Sequence, residues 1–156
     1  MRMNYPEPVL DDLYRELILD HYRHPRNRGE LAGATAHVEG YNPLCGDEVE
    51  VDLLVDDEGV IEDVAFKGRG CSISQASGSM MTDAVKGRTR HEARKLMDAF
   101  TKMMTDPELE PATDLGDLEA FQGVAKFPVR VKCATLAWHV LEEGLDKTNG
   151  ANSHSA

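Results

Sequence analysis

Apolar residues recur at helical spacing from Val9 to Tyr22, where Leu10, Leu13, Tyr14, Leu17, Ile18 and His21 fall on one face. His24-Pro25 ends this pattern, because the residue before a proline is pushed out of the helical region. The period then changes. Val49, Val51, Leu53 and Val55 alternate with Glu48, Glu50 and Asp52, as in a strand with one wet face. Asp56-Asp57-Glu58-Gly59 has the polarity and the glycine of a hairpin loop, and Val60 to Lys67 forms the returning strand. A shorter strand near His37 to Tyr41 completes a three-stranded antiparallel sheet.

After Gly68-Arg69-Gly70 the pattern is helical again. Ser72 to Val85 predicts a helix whose small residues, Ala76, Ser77, Gly78 and Ser79, allow a neighbouring backbone to come close. Thr89 and Glu92 make a capping box for a further helix with Ala93, Leu96, Met97 and Phe100 inside. Asp106 to Gly116 is proline-rich and acidic, an exposed connection, and Asp117 to Phe121 is a short helical turn. Pro128 suits the first turn of a last helix carrying Val131, Ala134, Leu136, Ala137, Val140, Leu141 and Leu145. The residues from Asn149 to Ala156 are small and polar, and are expected to be disordered. A sheet with one apolar face must be covered, so the fold class is α+β: a small three-stranded antiparallel sheet packed against several helices.

Composition narrows the function. The chain has 156 residues, 41% of them hydrophobic, enough for one domain over residues 1–148 but short for two. No apolar run approaches the roughly 20 residues of a membrane span, and the first residues are charged and proline-rich, so a cytoplasmic location is expected. A formal charge of -11 repels phosphate backbones, which excludes nucleic acid and favours basic partners. The basic stretch Lys86, Arg88, Arg90, Arg94 and Lys95 is interrupted by Asp83 and Glu92 and reads as a solvated helix face. Met103 and Met104 read as core filler. The six histidines read as packing or solvent residues.

Three cysteines cannot all pair within one chain, and a cytoplasmic protein keeps few structural disulfides. They read as thiols that are buried, reactive or metal-ligating. Cys45-Gly46-Asp47 places a thiol and a carboxylate two residues apart, on one side if the segment is extended. Cys71 stands where a strand gives way to a helix, where free backbone amides favour a thiolate. Cys133 follows Arg130 and Lys132 near the start of the last helix. Three sulfur donors and one oxygen meeting at one sheet edge would make a four-coordinate site. Zinc accepts such a set, whereas magnesium and calcium prefer oxygen shells; iron stays open. The spacings match no compact zinc finger, so only the tertiary fold can assemble the site.

Three segments carry a resemblance: Tyr41-Asn42-Pro43-Leu44-Cys45-Gly46-Asp47, Gly68-Arg69-Gly70-Cys71-Ser72-Ile73-Ser74-Gln75-Ala76-Ser77, and Phe127-Pro128-Val129-Arg130-Val131-Lys132-Cys133-Ala134. In this order, over Leu10 to Leu145, the chain resembles the SufU branch of the IscU-like iron-sulfur cluster assembly family. The resemblance implies an IscU-like fold and zinc held by Cys45, Asp47, Cys71 and Cys133. It further implies that Cys45 accepts persulfide sulfur from a SufS-like cysteine desulfurase, for downstream iron-sulfur assembly proteins. Asp47 would assist, and Arg130 would serve the pocket or the partner surface. Scaffold-type relatives have a histidine just before the last cysteine. Lys132 here, with an extra segment from Gly87 to Asp106, favours a sulfurtransferase-like acceptor over a cluster scaffold. A non-catalytic structural zinc protein is the third reading.

Overall fold

The computed structural model describes residues 6–43, 46–106 and 114–155, with side chains described over 13–43, 46–106 and 114–148. Strands β1 (Ala36–Asn42), β2 (Asp47–Val55) and β3 (Ile61–Arg69) form an antiparallel sheet in the order β1-β2-β3. The alternation read from the sequence is realised. Val38, Val49, Val51, Leu53, Val64 and Phe66 are buried on the inner face, while His37, Glu39, Glu48, Glu50, Lys67 and Arg69 occupy the outer one. In the β2–β3 turn, Asp56 Oδ1 accepts the N–H groups of Glu58 and Val60, each at 2.9 Å. One outer residue departs from the pattern. Asp52 is only 8% exposed, because the segment before β1 crosses it: Gly29 N–H bonds the Phe66 carbonyl and Leu31 N–H bonds Asp52 Oδ2.

The inner face is covered by α2 (Ser72–Val85) and α4 (Pro128–Ser155). The bounds of α2 are those the sequence predicts. Its small residues work as expected, since Ser77 Oγ donates to the Ala134 carbonyl at 2.5 Å and brings α4 against α2. Helix α1 (Pro6–Arg23) lies on α2, with the buried His21 imidazole 2.7 Å from Ser79 Oγ, which also accepts Arg26 N–H at 2.8 Å. Leu13 is a correction to the expected apolar face: it is 61% exposed. The buried stripe of α1 passes through Ile18 and His21 with Tyr14 and Leu17 at its margin, and is narrower than the sequence pattern.

Helix α3 (Arg90–Thr105) begins at the predicted capping box, in which Thr89 Oγ accepts Glu92 N–H and Glu92 Oε1 accepts Thr89 N–H. The expected turn at Asp117 is longer, a 3-10 helix over Gly116–Lys126, because Leu118, Ala120, Phe121 and Val124 are all buried. Phe121 meets Phe100 edge-on at 5.8 Å, and Phe100 stacks on Trp138 at 5.0 Å. Most of the expected connection after Asp106 lies outside the described residues. Helix α4 runs to Ser155. Once a long helix is nucleated, each added residue gains a hydrogen bond for the freedom it loses. Among the described residues no helix is long and apolar enough to cross a membrane.

Two expectations follow from this packing. Phe100→Ala should lower unfolding free energy by about 3–5 kcal/mol in a urea titration, since Phe100 is fully buried between two aromatic rings. Burial, helped by Arg26, holds His21 below the usual imidazole value, against the opposing pull of Asp83, Asp20 and Asp117. Below the ordinary imidazole value the unfolded chain therefore binds a proton that the folded chain refuses. Stability should be full above that value and fall as pH drops through the window down to His21's lowered one. His21→Gln should flatten this part of the stability profile in denaturation measured across pH.

Candidate metal centre

The inner end of the sheet holds the chemistry. Asp47 opens β2 opposite Asn42, the last residue of β1, and both are buried. The four residues between them include Leu44 and Cys45, which lie outside the described residues, so the expected placement of Cys45 is not part of this geometry. Gly46 N–H bonds the Asn42 carbonyl at 2.8 Å. Gly46 has φ 71°, a left-handed turn rather than an extended residue.

Cys71 caps the N-terminus of α2, as the strand-to-helix junction predicts. Its N–H donates to Asp47 Oδ1 at 2.9 Å, and its Sγ lies 4.0 Å from Asp47 Oδ2. This approach requires the preceding glycine. A Cβ on Gly70 would stand 2.2 Å from Asp47 Oδ1, and its φ of 150° is one that other residues seldom adopt. Cys133, fully buried on α4, points its thiol toward the Val129 carbonyl at 3.7 Å and lies 4.0 Å from Asn42 Nδ2. The ligand atoms of Asp47, Cys71 and Cys133 all lie within 4.8 Å of one another.

Two thiols and one carboxylate converging from β2, the start of α2 and α4 suit a borderline-soft cation such as zinc, which takes sulfur and oxygen donors around one ion. The burial supports the same reading. Asp47 has no exposed surface, and a buried carboxylate is costly unless hydrogen bonds and a positive partner compensate it. Arg130 and Lys132 are both exposed on the first turns of α4. At the end of β1, Asn42 is buried, while Tyr41 and Pro43 are exposed. Gln75, one turn into α2, was not singled out from the sequence for the site. It is buried, with an Oε1 lacking a hydrogen-bond partner among the described residues. Its only sequence signal is a polar residue in a run of small ones.

Comparison with known proteins places this arrangement. The model of the NifU-like N-terminal domain matches residues 13–152. The chain belongs to this family. It is 48% identical to the zinc-dependent sulfurtransferase SufU of Bacillus subtilis over 92% of its own length and 96% of that protein's. It is 44% identical to the iron-sulfur cluster assembly scaffold protein IscU of Streptococcus pyogenes, covering 91% of the chain and 88% of the relative. Among solved structures, a putative assembly scaffold for the SUF system from Fervidobacterium islandicum superposes with TM-score 0.78 at 38% identity, over 83% of this chain and 94% of the other. A NifU-like protein from Brucella abortus gives TM-score 0.81 at 28% identity, over 90% and 97%. The resemblance to the SufU branch of the IscU-like family and the α+β fold read from the sequence are both borne out.

Gly70→Ala should separate Asp47 from the Cys71 N–H while leaving the hydrophobic core in place. The expected outcome is at least about tenfold weaker zinc retention in competition with a chelator, the size of effect seen when groups that orient a ligand are lost. The thermal transition should fall as well, since alanine at this φ is strained, so retention is compared well below it; unchanged retention would show that the close approach of Asp47 to Cys71 is dispensable.

Proposed function

We propose that the chain is a zinc-dependent sulfur acceptor, taking persulfide sulfur from a SufS-like cysteine desulfurase and supplying downstream iron-sulfur assembly proteins. The observation that carries this reading is the convergence of Asp47, Cys71 and Cys133 donor atoms within 4.8 Å. The likeness to a relative named as a zinc-dependent sulfurtransferase supports it. Asp47, Cys71 and Cys133, together with Cys45, would hold zinc, which when bound keeps cysteine sulfurs in the thiolate form at neutral pH.

Cys45 is the proposed acceptor. Its thiolate attacks the outer sulfur of the donor's cysteine persulfide; a new sulfur-sulfur bond forms at Cys45 as the donor's breaks, and the donor cysteine leaves as a thiolate. The outer sulfur keeps its proton and no electrons are gained or lost overall. The buried residues of the site work around this step. Asp47 stays tied to Cys71 N–H, and Asn42 lies against Cys133, so the transfer is confined to the turn between β1 and β2. Tyr41, Phe127 and Val129 are exposed apolar residues close in sequence to the site residues, and with Arg130 they are the proposed contacts for the partner.

A cluster scaffold is the second reading, because the Streptococcus pyogenes relative carries that name at 44% identity. Lys132 at the position before Cys133 favours the acceptor. The test is intact mass spectrometry under reducing-agent-free conditions after incubation with a cysteine desulfurase and cysteine. The wild-type chain should gain one sulfur atom with its zinc retained, and Cys45→Ala should gain none and fail to stimulate desulfurase turnover. Normal stimulation by Cys45→Ala would remove Cys45 from the role, and a labile iron-sulfur cluster passed to an apoprotein would support the scaffold instead.

A further inference from the structure

The face of the sheet turned away from the helices carries a second cluster of ligating groups. The register sets His37 opposite Asp52 and Glu39 opposite Glu50. Two carboxylates facing each other across an antiparallel pair repel, so this arrangement calls for a cation. His37 Nε2 lies 3.1 Å from Glu39 Oε2 and 3.7 Å from Glu50 Oε1. The other ring nitrogen is already committed: Nδ1 is 2.5 Å from Asp52 Oδ1, and Asp52 is itself 8% exposed and anchored through Oδ2 by Leu31 N–H.

That bond decides the chemistry. A carboxylate accepting from Nδ1–H orients the ring as in metal-binding imidazoles, and Nε2 then faces the Glu39 and Glu50 oxygens, where a metal ion would take the place of the Nε2 proton. Without a metal, an Nε2–H group lies between the two carboxylates. The nearest ammonium does not replace it. Lys67 Nζ is 4.0 Å from Glu50 Oε1 and is engaged by Glu30, while Lys147 Nζ is spent on the His37 carbonyl at 3.3 Å.

We infer that His37, Glu39 and Glu50 form a second divalent-metal site, with Asp52 as the positioning residue for His37. Their ligand atoms lie within 4.8 Å of one another. The donor set is one nitrogen and carboxylate oxygens, with no sulfur, which suits manganous, ferrous or zinc ions rather than soft cuprous ion. The two centres are independent. Asp47 belongs to the inner face and Glu50 to the outer, and the three-residue step between them along β2 spans about 10 Å at roughly 3.4 Å per residue.

Manganous ion is the suitable probe, because it favours oxygen and nitrogen donors over thiolate and broadens nearby nuclear resonances. It is titrated into the full-length chain loaded with zinc, in buffer near 0.15 M salt, where diffuse attraction to the acidic surface is screened. The His37 ring and the amides of Glu39 and Glu50 should broaden first and saturate at one ion per chain, and zinc should compete. Glu50→Gln and Glu39→Gln should abolish the local effect. Asp52→Asn should weaken it about 10- to 100-fold, and Glu58→Gln in the β2–β3 turn should change nothing. Glu39 is 67% exposed, so its variant tests the idea without threatening the fold. Broadening spread evenly over the acidic surface, centred near Asp47 and Cys133, or unaltered in both glutamine variants would overturn the inference.

Discussion

A single buried carboxylate ties the sheet to the helices at the end where the cysteines meet. Asp47 begins β2, has no exposed surface, and accepts the N–H of Cys71 from beyond the far end of β3. The desolvation of that charge has to be offset locally, and one amide donor offsets part of it. The rest of the local structure follows from meeting this demand. Gly70 gives up a side chain so that the carboxylate can reach the amide, α2 starts at that point, and the Ser77 to Ala134 bond lays α4 across α2 so that Cys133 arrives at the same place. A cation among these groups would complete the compensation, which makes the metal part of the packing as well as of the chemistry.

The same sheet separates two kinds of ligand by its pleat. Successive residues of β2 point to opposite faces, so Asp47 joins thiols on the inner side while Glu50 and Asp52 join an imidazole on the outer side. Soft and hard donors are thereby kept apart by strand geometry alone. No rearrangement of the fold is needed for one face to handle sulfur and the other to hold an ion of different preference.

Much of this was legible in the sequence wherever a local rule governs. The bounds of α2, the capping box at Thr89 and Glu92, and the alternation in β2 depend on neighbours a few residues away, and the structure has all three. Legibility failed where a distant segment intervened. Leu13 fits the periodicity of α1 yet faces solvent, because the width of the buried stripe is set by α2 and the 3-10 helix. Asp52 has the position of a solvated strand residue but is covered by the chain before β1. The pairing of His37 with carboxylates of the next strand depends on register, which the linear order of residues does not display. For the cysteine site, periodicity located the elements, and the resemblance rather than spacing indicated that they converge.

Burial also bears on the two described cysteines as sulfur acceptors. Attack on a partner's persulfide requires the acceptor sulfur to meet an atom arriving from outside the molecule. Cys133 is fully buried beneath α4, so it can steady a metal but cannot be approached without displacing core residues. Cys71 is partly exposed, yet its backbone is fixed as the cap of α2 and by the bond to Asp47, and moving it would release the carboxylate on which the site is built. The demands of the transfer therefore disfavour Cys71 and Cys133 as acceptors, consistent with the proposal that Cys45 takes the sulfur while Asp47, Cys71 and Cys133 form the fixed part of the centre.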